Sequence, residues 1–282
     1  GSHVPGDLAL AGGRLLGSAD MSISFTVGPH RIRFAGKTDI GQVRSQNEDS
    51  ILIPSEMALA VVSDGMGGHA CGDVASQITV ETLDECYRET AKASPPTWPI
   101  KLPTMEVERH RMAAAIKLAN LRIFETASAD AGKKGMGCTV VAIYFHQGRF
   151  YVGHVGDSRV YRIRDQRIGM LTEDHSLAND FMRMRELTAE EMHGFPQKNV
   201  VVRALGLAEQ VAVDVIIDEY RTGDVFLLCS DGLCGMISDA AMLEIIAGHE
   251  SLDMACSSLI RAANDAGGND NISVVLVRVE RH

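Results

Sequence analysis

The sequence predicts an α+β protein in which antiparallel β-sheets pack on each other and α-helices cover the outside. Two observations lead to this fold class. Strand-like segments rich in Val, Ile, Phe and Tyr follow one another through short turns such as His146-Gln147-Gly148, which is typical of antiparallel meanders. Helical patterns come in blocks and do not alternate with single strands, which disfavours a doubly wound parallel sheet.

The predicted elements follow in chain order. Strands are expected at residues 31–38, 50–54, 58–63, 139–145, 149–155, 160–164, 211–219, 224–229 and 272–279. Helices are expected at residues 73–90, about 105–129, 239–247 and 252–266. The second helix is predicted from an apolar stripe that runs through Met112, Ile116, Ala119 and Ile123.

Two polar segments interrupt this pattern. Residues 94–103 hold four of the eight prolines and the single tryptophan, Trp98, so they are predicted to form a loop, either a plain surface connection or a docking site. Residues 172–206 are polar, with a helix start at Thr188. We interpret this second segment as a lid beside the site described below, and a plain surface excursion is the alternative.

Composition limits the domain organisation and the compartment. Residues 1–20 are interpreted as an expression tag, with Met21 as the native start, and residues 21–282 as a single domain with a sizeable apolar core. No apolar run is long enough to span a membrane, and the N-terminus lacks the layout of a secretory signal. The six cysteines form no C-x-x-C pair and lie mostly in apolar segments, which indicates reduced thiols and a cytoplasmic protein.

A formal net charge of -10 argues against nucleic acid as a partner, because binding a polyanion depends on Lys and Arg. Clustered carboxylates favour cations, and we therefore expect a single phosphate group, reached through metal, as the ligand.

Acidic side chains recur at the ends of apolar runs. The segments are Asn47-Glu48-Asp49, Ser63-Asp64-Gly65, Gly156-Asp157-Ser158, Ser230-Asp231-Gly232 and Asn269-Asp270-Asn271. Each one alone reads as an ordinary turn. Together they offer the converging oxygen ligands that Mg²⁺ and Mn²⁺ require, and glycine lets the backbone approach a ligand closely.

Seven short motifs recur in polar segments along the chain: Arg44-Ser45-Gln46-Asn47-Glu48-Asp49, Ser63-Asp64-Gly65-Met66-Gly67-Gly68-His69, Gly156-Asp157-Ser158-Arg159, Thr172-Glu173-Asp174-His175-Ser176, Arg203-Ala204-Leu205-Gly206, Ser230-Asp231-Gly232-Leu233 and Asn269-Asp270-Asn271-Ile272-Ser273. In this order and at these intervals they resemble the motifs of the bacterial PP2C-type (PPM) metal-dependent serine/threonine protein phosphatases. The resemblance covers nearly all of residues 33–279, and seven weak motifs in register make chance a poor explanation.

The resemblance implies a four-layer α-β-β-α sandwich with two metal ions, Mn²⁺ or Mg²⁺, at one end of the sheets. By position, Asp64 would bridge both ions, Asp231 and Asp270 would complete one, and Glu48 with the Gly65 carbonyl would hold the other. Water bound by both ions would then attack phosphoserine or phosphothreonine, which agrees with general two-metal chemistry.

The resemblance assigns further roles. Asp49 would act as an indirect or water-mediated ligand, and Asp157 matches a residue that contributes to a third, weaker metal position. Arg44 matches the arginine that grips the substrate phosphate, for which the planar guanidinium is suited. His69 is the candidate general acid, although Met66-Gly67-Gly68 separate it from Asp64-Gly65, whereas histidine directly follows Asp-Gly in the eukaryotic members. The alternative is that His69 is a polar turn residue without a catalytic proton and that metal-bound water protonates the leaving group. His175 is interpreted as structural.

The resemblance also implies a phosphoprotein substrate, a cognate bacterial Ser/Thr kinase and a monomer. Two alternatives stay open from the residues. A two-metal phosphodiesterase should show more histidine ligands or a basic groove. A catalytically silent regulatory module should have lost Asp64, Asp231, Asp270 or Arg44, and all four are present.

Overall fold

The computed structural model of the chain describes residues 22–67, 71–92, 103–176, 180 and 201–282. The predicted tag at residues 1–20, the loop at 94–102, His69 and most of the predicted lid lie outside these residues. The strands are β1 (Ile23–Val27), β2 (His30–Asp39), β3 (Asp49–Leu52), β4 (Leu59–Met66), β5 (Gly137–Cys138), β6 (Val140–His146), β7 (Arg149–Val155), β8 (Arg159–Arg164), β9 (Arg167–Met170), β10 (Asp214–Glu219), β11 (Val225–Cys229) and β12 (Ile272–Arg281). The α-helices are α1 (Gly72–Lys92), α2 (Thr104–Ala129), α3 (Asp231–Cys234), α4 (Asp239–Ala247) and α5 (Leu252–Asp265).

The strands form two antiparallel sheets. One has the order β1-β2-β12-β11-β8-β9, and the other has the order β10-β7-β6-β4-β3, with β5 paired to the end of β4. The sheets face each other across a core that includes Phe34, Phe145, Phe150 and Phe226. The α+β sandwich predicted from the sequence is therefore confirmed.

Helices cover the outer face of each sheet. In the described residues, α1 and α2 pack on one sheet through residues such as Leu83 and Ile116, and α4 and α5 pack on the other through Met242 and Leu259. Both faces of the central strands are consequently buried, which is why these strands read as continuous apolar runs. The result is the four-layer α-β-β-α arrangement.

The helix boundaries follow from local chemistry. The side chain of Ser238 accepts a hydrogen bond from the Ala241 N–H at the start of α4, and Ser251 accepts one from the Met254 N–H at the start of α5. These caps satisfy backbone donors that a helix start leaves free. The predicted boundaries of all four long helices agree with the structure to within two residues.

Two of the acidic segments that read individually as turns are part of regular secondary structure instead. Ser63-Asp64-Gly65 continues β4, because Asp64 pairs with Asp49 of β3 and Gly65 pairs with Cys138 of β5. Asp231 and Gly232 open the short helix α3. The sequence patterns also missed β1, β5 and β9, since β5 has two residues and β1 and β9 are largely exposed at a sheet edge.

The register brings one end of each sheet together. Cys229, the last residue of β11, pairs with Arg159 at the start of β8 and with Val274 near the start of β12. In the other sheet, Asp49 at the start of β3 pairs with Asp64 near the end of β4. Among the described residues, every helix is too short or too polar to cross a lipid bilayer.

Candidate metal centre

Six carboxylates converge at this end of the sandwich, each delivered by the end of a strand. Glu48 directly precedes β3 and Asp49 begins it, Asp64 lies near the end of β4, and Asp157 lies between β7 and β8. Asp231 lies two residues after the end of β11, and Asp270 lies two residues before the start of β12. All six are among the acidic residues expected from the sequence to bind metal, and they come from five segments spread along the chain.

Asp64 lies at the centre of the cluster and is held through its backbone. Its N–H donates to the Thr139 hydroxyl at 3.1 Å, and its carbonyl accepts from the Thr139 N–H at 2.9 Å. The pKa of Asp64 is raised well above its ordinary value by burial and then by four neighbouring carboxylates: Asp49, Asp231, Asp157 and Asp270. Without a cation, these charges repel one another.

Asp49 is buried with only one of its carboxylate oxygens satisfied. Its Oδ2 accepts hydrogen bonds from the hydroxyls of Ser230 at 2.8 Å and Ser273 at 2.7 Å. Its Oδ1 is buried and has no hydrogen-bond partner among the described residues. Burial raises the pKa of Asp49 to about 6, although the two serine hydroxyls oppose that shift.

Asp231 and Asp270 lie beside each other because two chain segments approach closely. A Cβ added at Gly232 would lie 1.9 Å from the Asn271 carbonyl oxygen, so only glycine fits after Asp231. The Oδ1 atom of Asp231 is buried and lacks a hydrogen-bond partner in the described part of the chain. Burial and then the charge of Asp270 raise the pKa of Asp231.

Glu48 and Gly65 form the other side of the cluster. The Gly65 N–H donates to the Glu48 carbonyl at 3.1 Å, and a Cβ at Gly65 would lie 2.2 Å from the Gly72 carbonyl oxygen. Glycine is therefore required at position 65, as the sequence analysis expected for a close backbone approach. Burial and then the charge of Asp73 raise the pKa of Glu48.

Asp157 and Arg44 lie at the margins of the cluster. Burial and then the charge of Asp231 raise the pKa of Asp157 to about 7. The half-exposed Arg44 donates from Nη2 to Asp270 Oδ2 at 2.7 Å. Arg44 thus presents a guanidinium directly beside the carboxylates.

These residues fit a hard divalent cation. The side chains of the cluster offer only carboxylate oxygens, which Mg²⁺ and Mn²⁺ prefer. The partnerless oxygens of Asp49 and Asp231 are costly inside a protein unless something binds them. A cation would also cancel the mutual repulsion that raises the carboxyl pKa values.

Comparison with known proteins agrees with this geometry. A family described as Protein phosphatase 2C matches residues 41–273. The serine/threonine phosphatase stp of Listeria innocua is 36% identical over 244 residues, which cover 86% of this chain and 93% of that protein. The chain belongs to the protein phosphatase 2C family.

Solved structures support the assignment. The Mycobacterium tuberculosis phosphatase PstP/Ppp has a TM-score of 0.77 and 33% sequence identity to this chain, covering 89% of this chain and 99% of that one. The catalytic domain of PstP in complex with 2 manganese ions has a TM-score of 0.75 and 32% identity, covering 88% and 98%. This protein phosphatase 2C is thus a metal-dependent protein phosphatase that acts on phosphoproteins.

Several residues that hold the carboxylate cluster in place were not predicted as site residues. Asn271 Oδ1 accepts from the Glu48 N–H, and Asn271 Nδ2 donates to the carbonyls of Ile40 and Gln46, which fixes the loop that carries Arg44. Its place in the Asn-Asp-Asn segment was a signal that sequence reasoning could have used.

Thr139 was a second omission. Its hydroxyl binds the Asp64 N–H and the Ser158 hydroxyl, so it joins the turn that carries Asp157 to β4. No motif marked Thr139, because its role arises only when β6 is packed beside β4. The candidate acid His69 lies outside the described residues, and its role stays a prediction.

The raised carboxyl pKa values predict how the metal-free phosphatase responds to pH. A carboxyl group whose pKa is higher in the folded state stabilises the fold at low pH, and that contribution is lost as the pH rises through the folded pKa. We expect the melting temperature of EDTA-treated protein to fall by roughly 2–3 °C between pH 6.5 and 8, driven by Asp157, with Asp64 acting in the same direction.

The window from pH 6.5 to 8 is chosen because His154 has the opposite effect on stability at lower pH. Burial and then the charge of His175 lower the pKa of His154 to about 3, so His154 destabilises the fold only below the ordinary histidine pKa of about 6.5. Scanning calorimetry at several pH values measures the effect, with saturating Mn²⁺ as the control that should abolish it. A melting temperature that stays constant or rises across this window in EDTA would contradict the account.

Proposed function

We propose that the phosphatase hydrolyses phosphoserine and phosphothreonine in proteins with two divalent ions held by the carboxylate cluster. Asp64 would bridge the ions, Asp231 and Asp270 would complete one site, and Glu48 with the Gly65 carbonyl would hold the other. The observation that carries this proposal is the central position of Asp64, whose charge is opposed by four other carboxylates. The manganese complex of the similar PstP domain supports it.

The remaining cluster residues take supporting roles in this proposal. Asp49 would act as an indirect or water-mediated ligand, since Ser230 and Ser273 hold its Oδ2 and its buried Oδ1 is left for such a water. Asp157 would contribute to a third, weaker metal position, supported by its half-buried carboxyl group and raised pKa. Ions held by the carboxylate cluster would lower the pKa of water and neutralise the charge that develops on the phosphoryl group.

Arg44 would bind the phosphate of the substrate. A guanidinium donates through several N–H groups in one plane, so the hydrogen bond to Asp270 leaves other donors for phosphate oxygens. His69 is proposed as the acid that protonates the leaving alkoxide, which rests on the family resemblance alone.

Arg44→Ala should raise KM for a phosphothreonine peptide by roughly tenfold or more and change kcat by much less, because phosphate binding is lost in the ground state and in the transition state alike. Steady-state kinetics at saturating Mn²⁺ measure both constants. Arg162→Ala, which removes an arginine paired with Asp218 on the surface of β8, is the matched control and should leave KM unchanged. An unaltered KM in Arg44→Ala would remove Arg44 from substrate binding.

One assay separates the proposed activity from its alternatives. Phosphate release is measured from a phosphothreonine peptide, a phosphotyrosine peptide and a bis-aryl phosphodiester, each with Mn²⁺, with Mg²⁺ and with EDTA. The proposal expects metal-dependent release from the phosphothreonine peptide above the other two substrates. Preference for the diester would support a phosphodiesterase, and no release with either metal would support a regulatory module.

The finer biological setting is also part of the proposal. A bacterial Ser/Thr kinase would phosphorylate the substrates, and the phosphatase would act as a monomer with Mn²⁺ or Mg²⁺, as the resemblance implies. A cytoplasmic location is supported by the six cysteines, all of which are free. Residues 21–282 would form one catalytic domain.

A further inference from the structure

His175 is the buried residue whose contacts the proposed chemistry leaves unexplained. It belongs to the Thr172–Ser176 motif, is 6% exposed and lies next to the turn between β7 and β8. It holds Gly156 from both sides. The His175 Nδ1 accepts a hydrogen bond from the Gly156 N–H at 3.0 Å, and the His175 N–H donates to the Gly156 carbonyl at 2.8 Å.

The contact to Gly156 fixes the tautomer of His175. A backbone N–H can only donate, so Nδ1 must carry the lone pair and Nε2 must carry the proton. The Nε2–H then donates to Asp214 Oδ2 at 2.9 Å. Burial alone would raise the pKa of Asp214, but the hydrogen bond from His175 and the charge of Arg203 lower it, so Asp214 stays ionised as an acceptor.

A metal site at this place is a less suitable explanation. The ligand atoms of His154, His175 and Asp214 lie within 4.8 Å of one another. A cation bound to His175 Nε2 would need the lone pair that the tautomer assigns to Nδ1. The Arg203 Nη1 also lies 3.1 Å from that nitrogen, where its positive charge would repel a cation. Because the protonated Nε2 cannot accept a hydrogen bond, the Arg203 Nη1 donates instead to Asp214 Oδ1 at 3.2 Å.

The orientation of the Gly156 turn matters because Asp157 follows it directly. Gly156 has φ +111, a conformation that favours glycine, and a Cβ there would lie 2.6 Å from Thr139 Cγ2. The turn is thus pressed against Thr139 on one side and bonded to His175 on the other. Both neighbours are held in place in turn. The Thr139 hydroxyl accepts a hydrogen bond from the Asp64 N–H, and His175 Nε2 donates to Asp214.

We propose that His175, whose Nδ1 acceptor tautomer is stabilised by Asp214, is a positioning residue that holds the Gly156 turn so that the Asp157 carboxylate points into the metal cluster. This inference rests on the proposed role of Asp157 at the third, weaker metal position. It assigns to the His175–Asp214 pair the orienting role that hydrogen-bonded partners of metal ligands generally have.

Two substitutions separate the two hydrogen bonds of the imidazole. His175→Asn keeps an acceptor near the position of Nδ1 and loses the reach to Asp214, whereas His175→Gln keeps a donor near Nε2 and loses the acceptor for Gly156. We expect His175→Gln to lower kcat at least about tenfold at unchanged KM, and His175→Asn to stay within about threefold of the native enzyme. Calorimetry should show unchanged binding of the two tighter Mn²⁺ ions in both variants.

The hydrogen bond between the Gly156 N–H and His175 Nδ1 can also be tested without measuring turnover, in the metal-free protein. Imidazole ¹H–¹⁵N correlation spectra should show the Nε2–H tautomer for His175, and exchange of the Gly156 amide proton should accelerate in His175→Gln but not in His175→Asn. The Nδ1–H tautomer in the native protein would overturn the proposal, whether or not either variant folds. Equal loss of turnover in both variants would also overturn it, because a general packing role predicts that result.

Asp157→Ala distinguishes failure of this inference from failure of the proposed site. If His175 acts through Asp157, the double variant Asp157→Ala/His175→Gln should be no slower than Asp157→Ala alone. Multiplying losses would overturn the link while leaving the role of Asp157 intact. A fully active Asp157→Ala would instead remove the proposed third metal position, and the inference with it.

Discussion

Asp64→Asn and Asp231→Asn are each expected to lower metal-dependent turnover by roughly a thousandfold, which corresponds to about 4 kcal/mol of transition-state stabilisation. Both substitutions keep the size of the side chain and remove a ligand charge, so the ions bind weakly while the fold stays intact. Phosphopeptide kinetics with Mn²⁺ titration measure the loss.

The same two substitutions should not destabilise the metal-free protein. Asp64 is half-buried among repelling carboxylates, so replacing its charge by an amide relieves repulsion, and we expect an unchanged or higher melting temperature in EDTA. Asp165→Asn is the matched control, since Asp165 is an exposed carboxylate in the turn between β8 and β9. Turnover near the native value in either cluster variant at saturating Mn²⁺ would refute the two-metal assignment.

Asp157→Ala is expected to keep nearly normal affinity for the two tighter ions and to lose most turnover, by roughly tenfold to a hundredfold. If Asp157 holds a weakly bound ion, its carboxylate would contribute to the transition state more than to ground-state binding, so kcat should fall while KM changes little. Calorimetric Mn²⁺ titration, a thermal melt and phosphopeptide kinetics on one preparation give all three quantities.

The competing explanation treats Asp157 as an ordinary turn cap. It predicts a loss of about 1 kcal/mol in the free energy of unfolding and normal turnover per folded molecule. The raised pKa of Asp157 argues otherwise, because its charge costs stability in the metal-free fold at pH 8. Asp130→Ala is the matched control, since Asp130 Oδ1 caps a turn through the Gly132 N–H at 2.9 Å. A destabilised but fully active Asp157→Ala would end the third-metal proposal.

Much of the fold could be predicted because the strong signals were local. Buried strands such as β11 are continuous apolar runs, and α4 and α5 begin at serine caps, so their boundaries were visible in the sequence. The edge strands β1 and β9 have no such signal, since their stability comes from one neighbouring strand. The reading of Ser63-Asp64-Gly65 as a turn was wrong because its strand pairing depends on β3 and β5, which are distant in sequence.

Part of the candidate site could also be predicted from the sequence. Carboxylates and glycines carry chemical meaning in their identity and spacing, so Asp64, Gly65 and Asp231 were recognisable. Thr139 and Ser273 act through tertiary hydrogen bonds to Asp64 and Asp49, which only the packing of the sheets creates. The sequence indicates a structural role for His175, and the structure shows a contact consistent with that role, because His175 Nδ1 accepts a hydrogen bond from the Gly156 N–H.

Anomalous diffraction from crystals grown with Mn²⁺ would test the central claim most directly. We expect two strong anomalous peaks about 3.5–4 Å apart on either side of Asp64, one beside Glu48 and the Gly65 carbonyl and the other beside Asp231 and Asp270. A single peak in the cluster, or peaks only at His154, His175 and Asp214, would contradict it.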